Sequence, residues 1–251
     1  MNCRRRLFLF ALGCSLAGVT AGNGARGVDD PPDSQRNALT GEIEIVESIL
    51  DGSPSEPAYA IRHSRDEGQG AATNSTLLGD AGVDDLEPRL AIDSQGKTSV
   101  VWWSDHAIPQ IYLAQRAADG QWADTAKLSR ADESSISPEI VVVRDEPWIT
   151  YEIRGPLGRG IAVLGIGSES PEPFPDRTLI RWTERQEELD VRIHASPESL
   201  WTTWIDSDTD VGWSEYDFAT ETWSEASFEP YADDANQARK IIRERIDATT
   251  E

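Results

Sequence analysis

The chain is poor in sulfur. Its 251 residues include two cysteines, Cys3 and Cys14, and a single methionine, Met1. Both cysteines lie at the extreme N-terminus, so the rest of the chain has no disulfide to staple it and no thiolate to hold a metal. Its stability must come from a hydrophobic core, and about 200 residues are ample for one. Long apolar runs are also missing. The longest, Leu7 to Val19, is shorter than the ~20 residues that cross a bilayer as a helix, so no membrane span is expected. Basic residues are few: 23 Lys and Arg against 45 Asp and Glu give a formal net charge of −22. That balance repels nucleic acid and anionic membrane surfaces and suits cations, basic partners or simple solubility. The histidines His63, His106 and His194 stand far apart in sequence, with no metal-ligand spacing.

What is present begins with an export signal. Arg4, Arg5 and Arg6 precede the Leu7–Val19 run, and Val19-Thr20-Ala21 closes it with small residues, placing the cut after Ala21. Two variants use the same residues. Arg5-Arg6-Leu7-Phe8-Leu9 approximates a twin-arginine core, and Ala11-Leu12-Gly13-Cys14 is similar to a lipobox in which Cys14 would carry lipid and anchor the protein. Each variant leads to a periplasmic or extracellular protein. The cut removes three arginines and no acid, taking the charge from −22 to −25. Residues 22–40, rich in Gly, Asp, Pro, Ser and Asn, read as a flexible tether.

Three later stretches repeat one another. Leu86 opens LEPRLAIDSQGKTSVVWWSD, QIYLAQR and DGQWADTAKLS; Ile136 opens ISPEIVVVRDEPWITYEI and RGIAVLGI; Leu189 opens LDVRIHASPESLWTTWID and VGWSEYDFATETWSEASF. The landmarks Trp103, Tyr151 and Trp204 are 48 and 53 residues apart, a spacing near that of stacked repeats. Each unit alternates apolar and polar residues, turns at Gly or Asp, and continues in a run such as Val100–Trp103 that is apolar on both faces. Glu42 to Asp85 reads as a fourth, degenerate copy. The expected fold is all-β: a β-propeller-like array of about four four-stranded blades over 41–85, 86–135, 136–188 and 189–231. A short helix should follow in 232–251, capped by Asp233-Asp234 with Ala238, Ile241, Ile242 and Ile246 on one face.

The second unit resembles the sialidase-type propeller blade, with Asp119-Gly120-Gln121-Trp122 similar to a worn Asp-box that lacks its Ser and Thr. Tyr216-Asp217-Phe218-Ala219-Thr220-Glu221-Thr222-Trp223-Ser224 resembles the outer hairpin of a kelch blade without the Gly-Gly pair. The resemblance implies a blade shape and no particular chemistry. The arginine triad, Tyr-Glu pair and Asp that it implies for sialidase catalysis have no counterparts assignable here, and Pro88-Arg89-Leu90 is only an echo of the family's Arg-Ile-Pro.

Three groups of residues are candidates for function. Arg89, Glu139 and Arg192 open the innermost strands of three successive units, where they would rim a central channel and hold a carboxylate or sugar, or else pair with one another. Asp206, Asp208, Asp210 and Asp217, with Ser214, approach the ligand spacing of a calcium loop, although Val211 stands where such a loop needs Gly. A solvated acidic turn is expected there, and no cofactor. For a glycoside hydrolase the acids at the ends of inner strands are Glu139, Asp105, Glu152 and Asp206. No nucleophile, base and orienting group assemble in one motif. The expectation is therefore an exported binding or interaction module without catalytic residues, whose partner is a protein or carbohydrate. The alternatives are a sialidase-like hydrolase and a lipoprotein scaffold, with self-association if the propeller is incomplete.

Overall fold

The computed structural model describes residues 32–53, 56–66, 72–79, 82–167, 177–184, 189–205 and 210–230. The export signal, Cys14, Asp206, Asp208 and the expected C-terminal helix lie outside these residues. The described chain forms four antiparallel sheets in sequence order. The first contains β1 (Asp33–Arg36), β2 (Ile43–Ser53), β3 (Glu56–Asp66) and β4 (Ala72–Leu78). The second holds β5 (Asp85–Ile92), β6 (Thr98–Ser104), β7 (Gln110–Arg116) and β8 (Ala126–Lys127). In the third are β9 (Ser134–Val143), β10 (Glu146–Gly155), β11 (Gly158–Gly165) and β12 (Thr178–Thr183). The fourth has β13 (Arg192–Ala195), β14 (Ser199–Ile205) and β15 (Asp210–Asp217), with β16 (Thr222–Trp223) and β17 (Ser227–Pro230) both pairing with β15. Each is a meander of neighbouring strands, the blade of a β-propeller.

The degenerate first copy is a full blade, and it begins earlier than its sequence suggests. Residues 33–36, read as tether, are its innermost strand, and Asn37 behind them is buried. Few apolar residues mark β1 because it binds through polar side chains. Asp33 Oδ2 accepts the Leu90 amide at 2.8 Å, and Gln35 Oε1 accepts that of Ile92 at 2.9 Å. These side chains cap the free edge of β5.

Alternation explains the core. In β6, Val100 and Trp102 turn to the first sheet and pack with Val46, Ile61 and Leu78. Val101 turns the other way, toward Ile140, Ile149, Tyr151 and Leu164 of the third sheet. A run apolar on both faces is what a strand sandwiched between two blades requires. The same rule separates the tryptophan pair, with Trp102 fully buried and Trp103 half-buried. Toward the fourth sheet, Val143 and Val163 meet Ile193 and Leu200, while Ile161 meets Leu189, Val191 and Trp204. Each large apolar side chain buried this way contributes about 1.5–3 kcal/mol. Among the described residues, strand packing of this kind joins first to second, second to third and third to fourth sheet, and none of that extent joins fourth to first.

Polar clasps supplement the apolar junctions. Glu44 on β2 is fully buried between the first two blades. Its Oε1 accepts Arg116 Nη2 at 2.6 Å and Asn37 Nδ2 at 3.0 Å, and its Oε2 accepts Thr98 Oγ1 at 2.7 Å and lies 2.9 Å from His63 Nε2. Trp122 covers the cluster, edge-on to His63 and 5.9 Å from the Arg116 guanidinium. At the next junction but one, Glu152 Oε2 accepts the Leu189 amide at 3.1 Å, joining third blade to fourth. The turn Arg144-Asp145 reaches across three blades. Both residues are left-handed, φ 54° and 62°, the backbone of a two-residue type I′ hairpin without its usual glycine. Asp145 Oδ1 accepts the Ser94 amide at 2.9 Å, and Arg144 donates to Pro197 O at 3.1 Å while lying 4.4 Å over the Phe218 ring.

Candidate functional site

A repeated backbone device builds one cavity at the starts of the innermost strands. Glu87, Ser137 and Asp190 are left-handed, with φ of 50°, 51° and 42°, and occupy equivalent places in three successive blades. In β5 and β9 the ladder slips at this point, between Leu86 and Arg89 and opposite Thr150 and Glu152. Such bulges re-aim the side chains that follow. Two residues after each left-handed one come Arg89, Glu139 and Arg192. Non-glycine residues pay about 1–3 kcal/mol for unfavourable backbone, and this cost recurring at one cavity marks a site that the fold holds in place.

The three expected rim residues do converge. Glu139 Oε1 accepts Arg89 Nε at 3.3 Å and also accepts Arg192 Nη1. Arg192 Nη2 lies 3.1 Å from Asp190 Oδ1, and Arg89 Nη1 donates to Pro88 O at 3.0 Å. Together with Glu87, Ser137, Pro138, Asp190 and Val191 they line a cavity of about 400 Å³, a volume within the range of small-ligand sites. A separate cavity, about 370 Å³, lies along the innermost strands beside Ile92, Val141 and Ala195 and is walled on one side by Asp33, Ser34 and Gln35.

The remaining candidates scatter. Asp210 and Asp217 begin and end β15, so seven steps of about 3.3 Å separate them and one ion cannot reach both. Asp217 Oδ1 instead accepts the Ala219 amide at 2.7 Å, shaping the β15–β16 turn. Among the described residues no group of three His, Cys, Asp or Glu is placed to hold a metal ion. Glu152 is sunk fully out of solvent and engaged by Arg159, Arg154 and the Leu189 amide, so it faces no substrate. Asp105 stands exposed in the turn after β6, and it is not among the residues lining the cavity of Arg89, Glu139 and Arg192.

Two ionic groups escape sequence reasoning. One is the Glu44 clasp. Burial alone would raise the Glu44 carboxyl, but hydrogen bonds from His63, Asn37 and Thr98 with the Arg116 charge bring it from 4.5 to about 2. The other joins Glu133 to Arg177, whose Nη1 also lies 3.4 Å from Tyr151 Oη. Burial pushes the Tyr151 phenol up, opposed by that guanidinium. Glu44 offered only the signal of an acid inside an apolar-alternating run, which an exposed strand face shows equally. The left-handed Glu87, Ser137 and Asp190 were legible only by aligning Glu-Pro-Arg-Leu, Ser-Pro-Glu-Ile and Asp-Val-Arg-Ile.

Fold and cavity together define a β-propeller-type repeat protein with a charged cavity at the starts of its innermost strands. No family model matches the sequence, and no curated protein does. Solved structures do. A protein of unknown function from Dyadobacter fermentans is similar with a TM-score of 0.52 at 12% identity, over 68% of this chain and 47% of that one. The Trypanosoma rangeli sialidase, captured with 2,3-difluorosialic acid as a covalent intermediate, is similar with a TM-score of 0.51 at 10% identity, over 77% of this chain and 37% of that one. The chain thus spans less than half the length of either. The likeness shows the propeller fold.

Proposed function

We propose that the chain is an exported binding module of the β-propeller type, which captures its ligand at the channel mouth without turning it over. The observation that carries this reading is the placement of Glu139, its Oε1 shared by two guanidiniums at the rim of an open cavity. That arrangement supports a recognition surface, and it pairs with two guanidiniums the one rim acid that the sequence offered for catalysis. A carbohydrate ligand fits the polar lining. The Asp119–Trp122 turn supports descent from a worn Asp-box blade, since Asp119 Oδ1 accepts the Gln121 amide at 3.0 Å across left-handed Gly120.

A second reading, a sialidase-like glycoside hydrolase, draws on the structural likeness to the Trypanosoma rangeli enzyme. As a two-carboxylate hydrolase it would require carboxyl groups about 5–9.5 Å apart across a sugar, and as a sialidase proper the arginine triad, Tyr-Glu pair and Asp that have no assignable counterparts here; Glu152, one of the candidate acids, is fully buried. Assay of the purified protein against aryl sialosides and other aryl glycosides, beside Glu139→Gln, separates the readings. No turnover is expected from either protein, and Glu139→Gln should melt lower because Arg89 and Arg192 lose their shared anion. Turnover that disappears in Glu139→Gln would replace the binding module with the hydrolase.

A further inference from the structure

We infer that the channel mouth takes a neutral, polyhydroxylated ligand, an uncharged sugar, and rejects anions; this rests on the binding reading above. The charges of the lining decide it. Glu87, Glu139 and Asp190 contribute three carboxylates against the two guanidiniums of Arg89 and Arg192, a formal balance of −1. An incoming carboxylate would have to take those guanidiniums from Glu139 and Asp190, which already hold them. It would also enter beside three like charges in a recess where screening is weaker than in bulk water.

A hydroxyl-rich ligand meets no such obstacle. Both guanidiniums reach the same oxygen of Glu139, Oε1. A carboxylate offers about four lone-pair sites, so its second oxygen, Oε2, can accept an O–H, and the half-exposed Arg192 beside it can donate to the neighbouring oxygen of a vicinal diol. A hydroxyl pair both donates and accepts, so it matches the carboxylate–guanidinium pair without disturbing it. An ammonium would satisfy Oε2 but would sit against the two guanidiniums. The bulged, left-handed residues Glu87, Ser137 and Asp190 hold these groups on strand ends rather than on long loops, which lowers the ordering cost of binding.

The test is an array of immobilised oligosaccharides in three classes: neutral, acidic (sialic or uronic acid) and amino sugar. The full chain is applied beside Glu139→Gln and Arg192→Gln, with thermal unfolding to confirm that each is folded. Neutral glycans alone should be retained, equally at about 50 mM and about 500 mM salt, and retention should fall at least tenfold in both variants. Should Glu139→Gln fail to fold, Arg192→Gln, altered at a half-exposed residue, carries the test. Salt-sensitive retention of acidic glycans, or retention of amino sugars alone, by the unaltered protein overturns the neutral-ligand inference and leaves the channel-mouth site standing. Retention of no class, or retention that both folded variants preserve, overturns the inference and the site together.

Discussion

Replacing Glu44 with Gln should cost this protein a large part of its stability at neutral pH and almost none near pH 2. Glu44 is fully buried between the first two blades and anchors Arg116, His63, Thr98 and Asn37. Its carboxyl is lowered from 4.5 to about 2. A depressed acid stabilises the folded state above its unfolded pKa, and the contribution disappears as pH falls through the folded value. At about 1.4 kcal/mol per pH unit, the shift corresponds to ~3 kcal/mol above pH 4.5, lost between about pH 4.5 and about pH 2. Mutational experience with buried pairs that lose one partner gives a similar ~3–5 kcal/mol, since Arg116 would keep an uncompensated charge. Against total stabilities of about 5–15 kcal/mol this is a substantial share. The assay is urea unfolding of both proteins at several pH values from neutral to acid. The unaltered protein should lose stability steeply over the acid window, and Glu44→Gln should start lower and show a flatter profile there. Equal stability at neutral pH, or parallel acid profiles, would refute the reasoning that this clasp is ionic and holds the blades together.

Two further outcomes are expected. Gly212 faces Trp204 across the β14–β15 ladder, and a Cβ there would stand 2.3 Å from the indole; Gly212→Ala should therefore lower stability by about 1–3 kcal/mol in urea unfolding, and unchanged stability would mean that Trp204 moves freely aside. N-terminal sequencing of the exported protein should begin at Gly22, from the cut after Val19-Thr20-Ala21; a lipidated Cys14 at the terminus would instead make this an anchored lipoprotein.

The repeat, and with it the fold, was legible because blade packing imposes a pattern on consecutive residues. Alternation in β5 and β9, and the two-faced apolar run of β6, follow from strands held between neighbouring sheets, and they survive in the sequence as a near-fixed spacing. Register then carried Arg89, Glu139 and Arg192 to one place, since equivalent residues of a repeat occupy equivalent positions. What the sequence could not supply was the pairing of groups distant along the chain. Glu44 meets Arg116 from 72 residues away, and β1 caps β5 through side chains 57 residues from their partners; neither contact leaves a local mark, because a polar residue in a strand looks the same whether it meets water or another blade. The acidic loop shows the converse. Asp210 and Asp217 are near neighbours in sequence, yet an extended strand sets them at its two ends, so proximity along the chain does not bring their carboxylates together. Local periodicity fixed which residues turn inward, and only the stacking of the four sheets decided which of them meet.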